Sequence, residues 1–152
     1  MKNMKQQRQA GFLIAKIRQV GERLFERMLN DEGIEINTAQ GRIMFALWQK
    51  DGVPINELAK KTQLKKSTLT SMIDRLEKMG YIKRQRSEKD RRIILIQRTQ
   101  KDRDLESKYV QLSQKITKLY YNDFTDKEID QFENALTKIL KNLTKHENNL
   151  SK

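Results

Sequence analysis

The stretch from residue 55 to residue 99 most constrains the fold, because it predicts two helices and two strands in a fixed order. Two short helical patterns come first, and Gly80 follows as a left-handed helix cap. Two β-type runs, 81–86 and 92–97, then flank a charged loop at residues 87–91. Two strands alone are marginal in water, so this hairpin must lean on the helices. The stretch therefore predicts two helices followed by a β-wing.

Positive charge is concentrated in the same stretch. From Ile55 to Arg92, 12 Lys and Arg residues stand against 5 Asp and Glu residues, a net charge of +7 out of +12 for the whole chain. A compact fold with such a field suits a polyanion, with nucleic acid first and an anionic membrane surface second. We interpret the stretch as a winged helix-turn-helix that binds double-stranded DNA.

Long amphipathic helices are predicted on both sides of this stretch. The first has an apolar stripe with helical spacing, at Ala10, Leu13, Ile14, Ile17, Val20, Leu24 and Met28, with Phe12 and Phe25 beside it. A stripe this wide suggests burial on two sides, against the chain itself and against a partner chain. Asn37 and Gln40 predict a capping box at the start of the next helix.

Two closing helices have the narrow apolar seam that is typical of helix pairing. Thr99 is predicted to cap the first, and Thr125 with Glu128 forms a capping box for the second. The seam positions are Leu105, Tyr109, Leu112, Ile116 and Leu119, then Ile129, Phe132, Leu136, Ile139 and Leu143. The tail from His146 is polar, and the first eight residues are polar and are expected to fray.

These patterns predict a mainly α-helical fold with a small antiparallel β-wing. We expect one domain over residues 1–152, with dimerisation helices at 9–30 and 99–145. The DNA-binding region between them is predicted at 36–98.

Composition excludes several other classes of function. The absence of Cys rules out disulfides, Cys-ligated zinc and thiol-based redox sensing. No apolar run is long enough to span a membrane, and no secretory signal is visible, so we expect a cytoplasmic protein. The single His, His146, lies in the polar tail, so no metal site is predicted. No nucleophile–base pair, paired carboxylates or phosphate-binding Gly loop stands out, so neither an enzyme nor a cofactor is expected.

The second helix of the stretch, residues 66–79, is the candidate recognition helix. Hydroxyl and cationic side chains near its N-terminus suit base edges and phosphates in a major groove. The candidate residues are Lys66, Ser67, Thr68, Thr70, Ser71 and Arg75. The alternative is an ordinary solvated helix face.

The hairpin loop is the second candidate contact. Arg is favoured in a narrow minor groove, and Asp90 can hold a neighbouring guanidinium in a bidentate pair. The candidate wing residues are Arg86, Lys89, Asp90, Arg91 and Arg92. A solvated hairpin tip remains the alternative.

Further cations are candidate phosphate contacts, which set affinity and not sequence choice. They are Lys60, Lys61, Lys65, Lys78, Lys83 and Arg84. Since charge runs often form plain solvated faces, about half of them are expected to contact DNA. Four aromatic residues, Phe12, Phe45, Trp48 and Tyr109, either line a ligand pocket or belong to the core.

The ordered set of motifs resembles the MarR-type (multiple antibiotic resistance regulator) winged-helix repressors. The residues that carry the resemblance are Glu57-Leu58-Ala59, Ser67-Thr68-x-Thr70, Asp74-Arg75-Leu76-Glu77-x-x-Gly80 and Asp90-x-Arg92. The resemblance covers nearly the whole chain. It implies a homodimer with interlocked terminal helices, recognition helices in successive major grooves and Arg92 in the minor groove. It also implies release from DNA by a small aromatic or apolar anionic ligand.

Four positions depart from that family pattern. Lys65 stands where a Ser or Thr cap is common, and Gln63 stands where many corners have Gly. Arg98 replaces a usual Leu, and Asp102 replaces a frequent Gly. The sequence thus predicts a homodimeric transcriptional regulator, a repressor, on a pseudo-palindromic operator. A sequence-neutral architectural nucleic-acid-binding protein is the alternative.

Overall fold

The computed structural model describes residues 7–151, so the predicted fraying of the N-terminus falls mostly outside the described residues. It contains six helices within that range, α1 (Ala10–Asp31), α2 (Thr38–Gln49), α3 (Ile55–Thr62), α4 (Lys66–Lys78), α5 (Asp102–Tyr120) and α6 (Asp126–Leu150). Three strands complete it, β1 (Val53–Pro54), β2 (Ile82–Arg86) and β3 (Ile94–Arg98). The predicted mainly helical fold with a small antiparallel sheet is confirmed.

The wing is a three-stranded antiparallel sheet with the order β1-β3-β2. The two predicted β-type runs do pair as an antiparallel hairpin, but the second strand is 94–98 and not 92–97. Ile82 pairs with Arg98 and Arg86 pairs with Ile94. The third strand was not predicted, because β1 is only two residues long. Val53 pairs with Ile96, and both are fully buried. β1 therefore attaches the wing to the start of α3.

The chain separates into two compact units, one up to Ile116 and one from Thr117 onward. Apolar residues from α1 to α5 and the sheet form the core of the first unit. The fully buried members include Ile43, Met44, Leu47, Val53, Leu58, Leu69, Ile73, Leu76 and Ile96. Burial of such side chains stabilises the unit by about 2 kcal/mol each relative to exposure.

Both predicted capping boxes are present. The side chain of Asn37 accepts a hydrogen bond from the amide of Gln40 at 2.8 Å, and the Gln40 side chain accepts one from the amide of Asn37 at 3.0 Å. Thr125 and Glu128 make the same reciprocal pair at the start of α6. These caps were predictable because both partners lie within one helical turn.

The first helix, α1, packs against the core with a face that is not its predicted apolar stripe. Gly21, Phe25 and Leu29 face the core of the first unit. The predicted stripe stays largely exposed, with Ile17 50% exposed and Leu24 44%. The chain itself thus packs on the narrower face, and most of the apolar surface of α1 remains available.

Thr99 does not cap α5, so that prediction is wrong. The helix begins at Asp102, and the Thr99 hydroxyl donates to the carbonyl of Gly80 at 2.6 Å. The α5 seam from Leu105 to Ile116 is buried within the first unit, whereas Leu119 is 56% exposed. The pairing partner of most of this seam is therefore the chain's own core.

The second unit consists of the end of α5 and the whole of α6. Tyr121 contacts Phe124 and Phe132 with ring centroids 5.7 and 6.4 Å apart, and its hydroxyl donates to Glu133 at 2.8 Å. No residue of α6, within 126–150, is buried. The helix runs to Leu150, so the polar segment after His146 is helical.

Candidate nucleic-acid interface

The recognition-helix candidate α4 is seated by one apolar face. Leu69, Ile73 and Leu76 are fully buried, and their spacing of four and three residues keeps them on the same side. The predicted reading residues lie on the opposite side. Lys66, Ser67, Thr68, Ser71 and Arg75 are all exposed. The fold thus presents these five side chains together on one solvent-facing surface.

Thr70 differs from its neighbours on this helix. It is only partly exposed, and its hydroxyl donates to the carbonyl of Lys66 at 2.9 Å. Such a bond to the preceding turn leaves the lone pairs of the oxygen free as acceptors. Thr70 can therefore accept a hydrogen bond from a ligand but has already used its donor.

The corner before α4 is built without glycine. Gln63 adopts the left-handed conformation with φ 59°, and its side-chain amide donates to the carbonyl of Lys60 at 3.1 Å. Lys65 then occupies the N-cap of α4 and makes no side-chain capping bond in the described structure. A lysine cannot accept a hydrogen bond from the first amides of a helix. It adds positive charge to the end whose dipole already favours an anion.

The wing loop holds the predicted pair of Asp90 and Arg92. The Arg92 guanidinium donates through Nε to Oδ1 of Asp90 at 3.2 Å and through Nη2 to Oδ2 at 3.3 Å. The Arg92 amide also donates to Asp90, at 3.1 Å. The Arg92 side chain remains 90% exposed. The pair thus holds an exposed guanidinium in a fixed direction on the wing.

Charge and hydrogen bonding stabilise this pair at neutral pH. Donation from the Arg92 side chain, and then from its amide, holds the pKa of Asp90 below its usual value. The contribution of the ionised pair is therefore complete above the unfolded pKa and is lost as the pH falls through the lowered one. Arg86, Lys89 and Arg91 are exposed around it, as predicted for a cationic wing.

Arg84 is occupied within the protein. Its guanidinium contacts Asp74 at 2.5 Å and Glu77 at 2.8 Å, and its amide donates to Glu77 at 3.1 Å. The side chain is only 26% exposed. Burial opposes its charge, but the two carboxylates outweigh that effect and raise its pKa. Arg84 therefore joins β2 to α4.

The predicted phosphate-contacting lysines fall into two groups. Lys60, Lys65 and Lys78 are exposed on or beside the two corner helices. Lys61 pairs with Glu57 at 3.4 Å, and Lys83 lines an open cavity of about 650 Å³ beside Arg98. Half of the six predicted contacts, counting Arg84 with the second group, thus have another neighbour inside the protein.

The four aromatic candidates do not form one group. The ring of Trp48 makes edge-on contacts with two of the others. Its centroid lies 6.5 Å from that of Phe45 and 5.4 Å from that of Tyr109. Phe12 is 67% exposed, and its ring contacts Lys16 of its own helix. Burial raises the pKa of Tyr109 to about 12, although Arg42 opposes the shift, so the phenol is neutral at physiological pH.

Residues 98–102 connect the wing to the end of α4, and the sequence did not predict this. Lys101 donates to the carbonyl of Met79 at 2.7 Å and lies over the Tyr81 ring, and Thr99 bonds Gly80. Arg98 pairs with Asp102, which also accepts from Trp48. The available signal was the four-residue spacing of Arg98 and Asp102, both departures from the family pattern.

Known proteins with the same fold include DNA-bound regulators. A model of the MarR family matches residues 36–94, the segment from α2 to the start of β3. A mutant MarR from E. coli, complexed with operator DNA, superimposes with a TM-score of 0.77 at 26% identity, over 86% of this chain and 92% of that one. The chain thus resembles the MarR family in sequence over residues 36–94 and in fold over most of its length. The predicted resemblance is thereby confirmed.

Other transcriptional regulators are similar to this chain as well. A MarR transcriptional regulator from Methanosarcina mazei has a TM-score of 0.79 at 25% identity, over 89% of this chain and 96% of that one. The organic hydroperoxide resistance transcriptional regulator of Bacillus subtilis is 29% identical over 72% of this chain and 74% of its own length. The regulator TtmR of Methylorubrum extorquens is 32% identical over 49% of this chain, but the match spans only 38% of TtmR.

Two further observations concern membrane-spanning helices and metal sites. Within residues 7–151, no helix is both long and apolar enough to cross a membrane. The same residues contain no cluster of three or more His, Asp or Glu side chains that could hold a metal ion.

Proposed function

We propose that this protein is a sequence-specific regulator of transcription of the MarR family, a repressor, that binds double-stranded DNA. The exposed hydroxyl and cationic face of α4, together with the Arg92 guanidinium held outward by Asp90, carries the proposal. The similarity to a MarR protein complexed with operator DNA supports it over an architectural role. A regulator needs a surface that distinguishes bases, and α4 offers one.

In this proposal, the two surfaces have separate roles. Ser67, Thr68, Thr70, Ser71 and Arg75 read base edges in the major groove, where hydroxyls and guanidinium groups form directional hydrogen bonds. Arg92 enters the adjacent minor groove. The remaining cations hold phosphates, and these are Lys60, Lys61, Lys65, Lys66, Lys78, Lys83, Arg86, Lys89 and Arg91. For Lys61, the ion pair with Glu57 competes with that role. Arg84 is left out of it because Asp74 and Glu77 already pair with its guanidinium.

We further propose that the protein is a homodimer, formed through residues 9–30 and 99–145. The exposed apolar faces of α1 and α6 support this proposal, because a monomer rarely leaves such surface in water. Two copies would place recognition helices about 10 bp apart on a pseudo-palindromic site. In the same proposal it is not an enzyme, it acts in the cytoplasm, and a small aromatic or apolar anionic ligand releases it from DNA.

Specificity is the property that tests the function. The protein should bind one site in the DNA upstream of its own gene at least about a thousandfold more tightly than random duplex. Competition with bulk duplex in a mobility-shift assay measures this ratio. Equal affinity for all duplexes would favour the architectural alternative, and a failure to shift any duplex would refute both.

Dimerisation predicts a clear effect of a charge on the exposed face of α1. Ile17→Glu should convert the dimer to a monomer, because a carboxylate buried in an apolar interface loses its hydration. Light scattering coupled to gel filtration measures the mass. Gln19→Glu adds the same charge on another exposed part of α1 and should leave the dimer intact. A monomeric wild-type protein at micromolar concentration would contradict the proposal.

Arg84 and Lys60 should respond differently to neutralisation. Lys60→Met should lower the slope of log affinity against log salt by about 1, because one phosphate contact is lost. Arg84→Met should leave that slope unchanged and lower the free energy of unfolding by about 1 kcal/mol. A reduced slope for Arg84→Met would instead assign its guanidinium to a phosphate.

A further inference from the structure

A buried carboxylate lies at the start of α5. Asp102 is fully buried, and both of its oxygens accept from the indole Nε1 of Trp48 on α2, each at 3.0 Å. Arg98, at the end of β3, donates through Nε to the same carboxylate at 2.5 Å. A buried charge is tolerated only when it is paired and hydrogen-bonded. Asp102 satisfies both conditions through two different elements.

Arg98 makes a second set of contacts. Its Nη2 donates to Glu106, one turn further along α5. Its backbone amide donates to Asp51 in the turn before β1, at 2.8 Å. Arg98 therefore joins β3, the central strand of the sheet, and the turn before β1 to α5. Burial opposes its charge, but Asp102 and Glu106 outweigh burial and raise the pKa of the guanidinium.

The residues between this pair hold the end of the candidate recognition helix. Lys101 donates to the carbonyl of Met79 at 2.7 Å, and Thr99 donates to Gly80 at 2.6 Å. These carbonyls are at the C-terminus of α4, where the helix lacks internal donors. Any shift of residues 98–102 would therefore move the wing strand and the end of α4 together.

The two charges depend on each other to different degrees. Without Arg98, Asp102 would be a buried carboxylate with no cation. Without Asp102, the Arg98 guanidinium would keep only its pair with Glu106. Both residues depart from the family pattern, which has a usual Leu in place of Arg98 and a frequent Gly in place of Asp102. An exchange of both residues converts an apolar contact into an ionic one at the same junction.

We propose that Arg98 and Asp102 are positioning residues for DNA binding. They fix the wing and the end of α4 on α2 and α5 without touching DNA themselves. This role rests on the proposed function. Trp48 is the only Trp in the chain and donates directly to Asp102, so its fluorescence reports on the link without DNA.

Three variants test the role against a matched control. Arg98→Met and Asp102→Asn should each weaken binding by about tenfold, measured by fluorescence anisotropy on a duplex that the wild-type protein selects from a random pool. The paired variant Arg98→Leu with Asp102→Gly should bind within about threefold of wild type, because it restores an uncharged junction. Arg103→Met is the control, because Arg103 is exposed in the same helix turn and its loss removes the same charge as Arg98→Met. This control should show the Trp48 emission of the wild type, whereas Asp102→Asn should shift it.

The salt dependence separates positioning from direct contact. Arg98→Met should keep the wild-type salt slope, whereas loss of a phosphate contact would lower it by about 1 and overturn the proposal. Single variants that bind as wild type, or a paired variant no better than the weaker single one, would also overturn it. If the single variants do not fold, the DNA affinity of the paired variant decides. A paired variant that folds but binds DNA weakly would contradict the positioning role. A wild-type protein that selects no duplex would refute the proposed function itself, and this role with it.

Discussion

Gly41→Ala should lower the free energy of unfolding of the first unit by about 3 kcal/mol. A Cβ built at Gly41 on α2 would lie 2.5 Å from Cζ of Tyr109 and closer still to its hydroxyl. The ring cannot retreat easily, because it packs edge-on against Phe25 and Trp48 with centroids 5.1 and 5.4 Å away. Thermal and urea unfolding measure the loss.

Two comparisons isolate the steric cause. Gly11→Ala, in the first turn of α1, places a Cβ with nothing within 4 Å and should be neutral or stabilising by up to about 1 kcal/mol. In a Tyr109→Ala background, Gly41→Ala should cost less than about 0.5 kcal/mol, because the obstructing ring is absent. An equally large cost in that background would show that the ring is not the obstacle.

Arg92→Ala should weaken binding to the selected operator by about 10- to 100-fold, if the wing enters the minor groove as proposed. The guanidinium is 90% exposed and held in direction by Asp90, so its ordering is largely complete before DNA arrives. The side chain covers no core residue, so thermal unfolding should be unchanged. Anisotropy titration at fixed salt measures the effect.

Asp90→Asn provides the companion measurement. It keeps the size of the side chain but removes the charge that directs Arg92, so a smaller loss of about threefold to tenfold is expected. Arg103→Ala removes an exposed guanidinium outside the proposed contact surface and should change affinity by less than about twofold. Wild-type affinity in Arg92→Ala would remove the wing from the mechanism.

Local patterns predicted the elements because their determinants lie close together in the chain. The reciprocal caps at Asn37 and Thr125 need only residues one turn apart, and both are present. The pairing of Ile82 with Arg98 follows from a short hairpin loop. The cap assigned to Thr99 failed because its hydroxyl has a better partner in Gly80, 19 residues away in sequence.

The arrangement of the candidate site was only partly predictable. The outward face of α4 followed from the spacing of Leu69, Ile73 and Leu76, because a helix that buries three such residues must expose the opposite side. The pairing of Arg84 with carboxylates inside the protein could not be predicted, because the sequence does not distinguish a paired cation from one that is exposed. Only the juxtaposition of β2 and α4 gives Arg84 two carboxylates.

We could recognise three properties in the amino-acid sequence: the order of helices and strands, the concentration of positive charge and the resemblance to the MarR family. These properties depend on composition and on spacings within a few residues. The tertiary structure alone decided which face of α1 is buried, which cations are free and how Asp102 is paired. Those outcomes depend on which elements meet, and the energy of a buried charge is set by neighbours that are distant in sequence.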